Sequence, residues 1–181
     1  MDRKITNRLP ALKDIVSVYA VVSFIIQMWA IHLLIEQLPA WSNYLYVSEI
    51  LSVIAYRIAE SFVECLFVLF LLLFFSFILP ARFLRDVFIT RGSAIAICFL
   101  SSIILFWKRF DSDPGVIMAN YLQTWTGVTI VLAIVFSYFS AKVDAISDFL
   151  NWVSERMTIF LYPLIPISLV SILTVLMRNF K

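Results

Sequence analysis

The chain has 181 residues, of which 62% are hydrophobic and only 14% are charged. An ordinary soluble domain carries about 25% charged residues, and a water-soluble fold of this size could not cover so much apolar surface. The net charge of +2 arises from basic residues scattered over termini and loops. This distribution argues against nucleic acid as a partner, because a nucleic-acid-binding surface concentrates its basic residues in a stripe or patch.

Long uncharged runs predict an all-α, polytopic membrane protein with about five transmembrane helices and an interfacial amphipathic connector. About 20 apolar residues cross a bilayer as a helix, and runs that are continuous rather than alternating favour helices over strands. With no internal repeat and no low-complexity linker, residues 1–181 are expected to form one domain in contact with the lipid bilayer. The predicted spans are 15–36, 55–79, 88–107, 116–139 and 158–177, and the connector is 142–156.

The first span follows a basic N-terminal segment and therefore resembles a signal peptide. Its uncharged run is too long for one and no A-x-A site follows, so we predict an uncleaved span. The connection after it carries Trp41, Tyr44 and Tyr46 but no Lys or Arg. Aromatic side chains of this kind settle at the headgroup level, which predicts a connection lying on the membrane surface.

The second span is preceded by a charged segment at residues 57–64. As a helix, the run from Ile50 to Leu79 is about 45 Å long, against a hydrocarbon core of about 30 Å. Pro80 and the arginines after it mark the far end. Counting about 20 residues back from Leu79 places Glu60 near the opposite boundary of the hydrocarbon and Glu64 about 6 Å inside it.

The third span ends at Trp107, and the sequence Asp113-Pro114-Gly115 predicts a turn before the fourth. The connector at 142–156 has apolar residues on one helical face and mainly acidic residues on the other, so anionic lipid is not expected to attract it. Pro163 and Pro166 lie in the first half of the fifth span, where they predict a kink or a broken first turn.

The distribution of basic residues predicts the orientation, because cytoplasmic loops are rich in Lys and Arg. With five spans, the N-terminal side carries nine basic residues and the C-terminal side four, with Arg57 as a boundary case. We therefore expect a cell membrane location, plasma or inner, with the N-terminus in the cytoplasm and the C-terminus outside. The nine are Arg3, Lys4, Arg8, Lys13, Arg82, Arg85, Arg91, Lys142 and Arg156, and the four are Lys108, Arg109, Arg178 and Lys181.

Polar side chains gather at the predicted outer ends of several spans, while the inner halves of the second and fourth are almost wholly apolar. Polar groups inside a membrane usually face the bundle interior or a water-filled cavity. The pattern predicts a polar vestibule open to the outside, and interfacial pairing or helix packing by the same residues is the alternative. The candidates are His32, Arg57, Glu60, Glu64, Asn120 and Gln123, with Ser168, Ser171 and Thr174 along the fifth span.

Motifs that would specify a reaction are missing from the sequence. There is one histidine, there are only three glycines, and Cys65 and Cys98 stand alone in different spans. No catalytic, cofactor-binding or metal-binding residue is therefore predicted. We expect a non-catalytic subunit that binds a protein partner or forms a homo-oligomer. The alternative is a proton- or cation-linked transporter of a small solute or lipid that uses Glu64 in the vestibule.

Overall fold

The structure is a computed structural model that describes residues 10–80, 83–84, 87–110 and 116–180, with side chains from residue 121 onward in the last segment. The described chain is all-helical, and each of its five helices is long and apolar enough to cross a membrane. The predicted helical class and number of candidate spans are thereby confirmed. The helices are α1 (Leu12–Trp41), α2 (Val47–Ile78), α3 (Phe88–Phe110), α4 (Val116–Ser140) and α5 (Asp144–Asn179).

Local side-chain chemistry explains the turn between α1 and α2. Near the end of α1, the Pro39 carbonyl accepts hydrogen bonds from Ser42 Oγ at 2.9 Å and Asn43 Nδ2 at 3.2 Å, which satisfies a carbonyl that has no helical partner. Glu49 then accepts a hydrogen bond from the Tyr46 backbone N–H at 2.8 Å, as in a capping box. The connection between the first two spans is shorter than predicted, because α1 continues to Trp41 and α2 begins at Val47.

Helix α1 lies at the centre of the bundle, in contact with α2, α3 and α5. Helix α4 packs mainly on α3 and only lightly on α5, so most of its side chains stay exposed. The α1 contribution to the core is Val18, Val22 and Ile26, all buried. Apolar side chains from several helices are thus buried around one central helix.

Helix α5 is one continuous helix of 36 residues, about 54 Å long. The predicted connector is its first third, and the broken first turn expected at Pro163 and Pro166 does not occur. Both prolines point away from the bundle and are exposed. A buried seam with alternating four- and three-residue spacing runs unbroken past them, and this seam holds the helix in register. It comprises Leu150, Ser154, Met157, Leu161, Leu164, Ser168 and Ser171, of which Met157 is partly buried.

Contacts between helices show their relative directions. Ser93 of α3 bonds Ser154 of α5, and Thr90, one turn earlier, lies near Ser147 and Asn151, so α3 and α5 are parallel. Tyr56, early in α2, donates a hydrogen bond of 2.7 Å to Asn179 at the end of α5. Helices α2 and α5 are therefore antiparallel, as alternating spans require.

Candidate functional site

The charged segment of α2 lies on the outside of the bundle. Arg57 Nη1 is 2.8 Å from Glu60 Oε2, a pair that the three-residue spacing places on one helical face. Glu64, one turn further along, is exposed and has no ion pair among the described residues. Its neighbours Val63 and Phe67 are 60% and 61% exposed. Glu64 is therefore a carboxylate in an apolar, outward-facing surface.

His32 forms a separate local pair on α1. Its Nε2 is 3.2 Å from Glu36 Oε1, one turn along the same helix, and its ring lies 5.3 Å from the Trp29 ring. Both partners of the pair are about half exposed. In the described part of the chain, no hydrogen bond or ion pair connects His32 with the charged segment of α2.

The fourth helix contributes Gln123 and Thr124, whose side chains are exposed. The side chain of Asn120 lies outside the described residues. Since α4 packs mainly on α3, Gln123 is on a different side of α1 from the charged segment of α2. The structure thus brings together Arg57, Glu60 and Glu64 but does not join them to the other candidates. A vestibule formed by all six remains a prediction.

A second group of polar residues lies inside the bundle, and sequence reasoning overlooked most of it. Gln27 of α1 is 4% exposed, and its Nε2 donates to Ser168 Oγ of α5 at 3.2 Å and approaches Ser23 Oγ at 3.5 Å. Ser168, a candidate for the vestibule from its place along the fifth span, lies buried in the interface between α1 and α5. A signal was available for Gln27, because an amide in the middle of an apolar run indicates a buried contact.

Two further polar pairs, one fully buried and one partly buried, connect neighbouring helices. Ser93 and Ser154 are fully buried with their hydroxyl oxygens 2.9 Å apart, which joins α3 to α5. Ser102 of α3 is 2.5 Å from Thr129 of α4 and accepts a hydrogen bond of 2.9 Å from Trp125 Nε1. Several interior polar groups thus bond one another across helix interfaces. Others, such as Ser61 and Ser140, bond carbonyls of their own helices, and the buried hydroxyls of Ser76 and Ser137 have no hydrogen-bond partner among the described residues.

One open groove lies where α1 begins and α5 passes it. It has a volume of about 380 Å³ and is lined by apolar and polar side chains of both helices. Lys13 and Glu155 carry opposite charges on its two sides. The lining residues are Leu12, Lys13, Val16, Ser17, Glu155 and Thr158.

The described residues contain no cluster of candidate metal ligands and no disulfide. No group of three or more His, Cys, Asp or Glu side chains there is close enough to hold a metal ion. Cys65 is buried in the core and Cys98 is half-buried on another helix, and both thiols are free. The chemistry that these residues offer is therefore limited to the charged side chains on α2 and the hydrogen bonds between helices.

Comparisons of the chain with protein-family models, with curated proteins and with solved structures found no match. The site must therefore be interpreted from its own geometry.

Proposed function

We propose that this chain is a multi-pass integral membrane protein that acts as a non-catalytic subunit and binds a protein partner through its outer surface. The observation that carries the proposal is the contrast between the two polar groups. Several interior polar side chains, such as Gln27 and Ser93, pair across helices, while the charged residues of α2 lie on the outside. The charged residues on the outside of α2 are therefore accessible to a protein that docks on the bundle.

The surface of the bundle supports insertion in a membrane. Large apolar side chains of α2 and α4, such as Phe70 at 62% and Val131 at 60%, are exposed along their length. At one end of the bundle Lys142 lies 4.8 Å from the Tyr138 ring, and Arg156 lies 5.7 Å from the Trp152 ring. Aromatic residues and cations together are typical of the boundary between hydrocarbon and headgroups. The excess of basic residues at this end supports a cytoplasmic N-terminus.

The rival function is proton- or cation-linked transport of a small solute or lipid. It is favoured by Glu60 and Glu64 lying one turn apart with Arg57 as their shared counter-charge, because an intramembrane carboxylate is a common proton or cation acceptor. Against it stands the interior of the bundle, where Gln27 and Ser93 are engaged with neighbouring helices. A transport path would need polar groups that are free to meet a solute.

Affinity purification from the native membrane in a mild detergent tests the two functions against each other. The subunit proposal predicts one or more other chains in fixed ratio with this one. The rival predicts that the chain alone, reconstituted in vesicles, conducts protons or cations and that Glu64→Gln abolishes the flux without loss of folded protein. Flux from the isolated chain together with the absence of any companion would overturn the proposal.

A further inference from the structure

We propose that the Glu64 face of α2, defined by Glu60, Val63, Glu64 and Phe67, binds a transmembrane helix of a different protein that presents a Lys or Arg side chain at the depth of Glu64. This inference rests on the proposed function and names the chemistry of the partner.

The charges on this face do not balance, because two carboxylates face one guanidinium. Arg57 is the opposite charge that acts on both carboxylates, but its guanidinium is held against Glu60 at 2.8 Å. Two carboxylates and one guanidinium leave a net charge of −1 on this flank of α2. In hydrocarbon such a charge is retained only when an opposite charge or a hydrogen-bond donor satisfies it.

Glu64 faces away from the bundle, so its surroundings must be supplied by lipid or by another molecule. The opposite flank of α2 is buried against the bundle through Ser61, Cys65 and Leu72. Phe67 continues the exposed face one turn inward from Glu64, and Phe70 and Phe74 extend it further, 62% and 49% exposed. The face therefore offers a strip of apolar side chains with one carboxylate near its outer end, which matches an apolar helix with a single cation.

A second copy of this chain fits the face less well. Copies in one membrane share the same orientation, so a two-fold pair built on this face would place Glu64 opposite Glu64 at equal depth. Like carboxylates repel in a medium of low dielectric constant. A Lys or Arg from another protein avoids this repulsion. Its positive charge and the Glu64 carboxylate neutralise each other through a charge-assisted hydrogen bond.

The test uses the full chain in its native membrane. Phe67 is replaced by the photoreactive analogue p-benzoylphenylalanine, membranes are illuminated, and the cross-linked peptide is sequenced by mass spectrometry. We expect a cross-link to a transmembrane segment of another protein, with a Lys or Arg within about one helical turn of the linked residue. Combining the analogue with Glu64→Leu should lower the yield about tenfold, and the matched control Glu36→Leu should leave it unchanged. Elution of both variants as a single peak in detergent shows that they are folded.

The outcomes separate this inference from the proposal on which it depends. A cross-link to a second copy, to lipid alone, or to a segment without a nearby cation overturns the inference. A different protein that links equally well in the presence of Glu64→Leu also overturns it but leaves the subunit proposal standing. Restoration of the yield when Glu64→Arg is combined with an acidic replacement of the partner's cation supports the pairing directly.

Discussion

At the scale of single residues, Gln27 has the largest side chain among the buried polar residues that the structure describes. The amide donates to Ser168 across the interface between α1 and α5. In a membrane, hydrogen bonds between helices contribute about 0.6 kcal/mol on average, so the packing of the side chain contributes more to stability than its hydrogen bond.

We therefore expect Gln27→Ala to lower the free energy of unfolding by about 2 kcal/mol, through the lost contact and the space left behind. Gln27→Met keeps the volume and should cost only about 0.6 kcal/mol. The exposed Gln123→Ala is the matched control and should change stability by less than about 0.5 kcal/mol. Unfolding in mixed micelles with increasing sodium dodecyl sulfate measures all three, and equal losses for Gln27→Ala and Gln123→Ala would contradict the placement.

The sequence predicted some residues of the candidate site better than others, for a physical reason. Spacing along one helix is local, so the common face of Arg57, Glu60 and Glu64 could be predicted from positions three and four apart. Whether His32 meets that face depends on how α1 and α2 are rotated about their axes, and a single sequence contains no measure of that rotation. The pairing of Gln27 with Ser168, 141 residues apart, is hidden for the same reason.

At the scale of elements, the close approach of α3 to α1 depends on Gly92. A Cβ atom at this position would lie 3.3 Å from Val18 Cγ2, tighter than most contacts of real Cβ atoms. Small residues permit such approaches between helices in membranes. Gly127 on α4 has nothing within 4 Å of the same position.

Gly92→Val should consequently destabilise the protein by about 1–3 kcal/mol, because the added methyl groups meet Val18 in a packed interface. Gly127→Val places the same side chain in open space and serves as the control for changes in helix propensity. Thermal unfolding of both variants in the same detergent gives the comparison. If Gly127→Val lost as much stability as Gly92→Val, the close approach would not be the cause.

The Ser93–Ser154 pair connects α3 to α5, and a double-mutant cycle measures its contribution. Ser93→Ala, Ser154→Ala and the double variant should give a coupling free energy of about 0.6 kcal/mol, up to about 1.7 kcal/mol. The exposed Ser52, which bonds the backbone of its own helix, is the control partner for a second cycle with Ser93→Ala. The control cycle should show no coupling. The absence of coupling between Ser93 and Ser154 as well would contradict the hydrogen bond between the two helices.

Helix α5 shows what sequence could and could not predict about an element. Its apolar run and the amphipathic pattern before it were both identified, because each is a local periodicity. Their fusion into one helix was missed, because the change from an amphipathic to an apolar pattern near Met157 was interpreted as a boundary, and because the prolines at 163 and 166 predicted a kink or a broken first turn. The prolines lie on the exposed side while the seam from Leu150 to Ser171 stays buried, and this tertiary packing outweighs the local cost of proline.

At the scale of the whole molecule, the proposed orientation places the turn between α1 and α2 outside the cell and the start of α5 in the cytoplasm. The native thiols do not interfere with labelling, since Cys65 is buried and Cys98 is half-buried within a helix. Tyr44, 86% exposed in the turn, and Asp144, exposed at the start of α5, are suitable positions for single cysteines.

Tyr44→Cys should react with a membrane-impermeant maleimide in intact cells, because the turn faces the outside in the proposed orientation. Asp144→Cys should react only after the membrane is permeabilised. The unsubstituted chain provides the background level of labelling. The opposite pattern would invert the topology, and with it the side of the membrane on which Glu64 lies.

We propose that the charged face of α2 is completed by another protein. The measurement that tests it most directly is the mass of the intact particle, extracted from its native membrane in a mild detergent and analysed by native mass spectrometry. We expect a mass equal to this chain plus at least one different chain in fixed ratio. A particle with the mass of one copy, or of several copies alone, would contradict it.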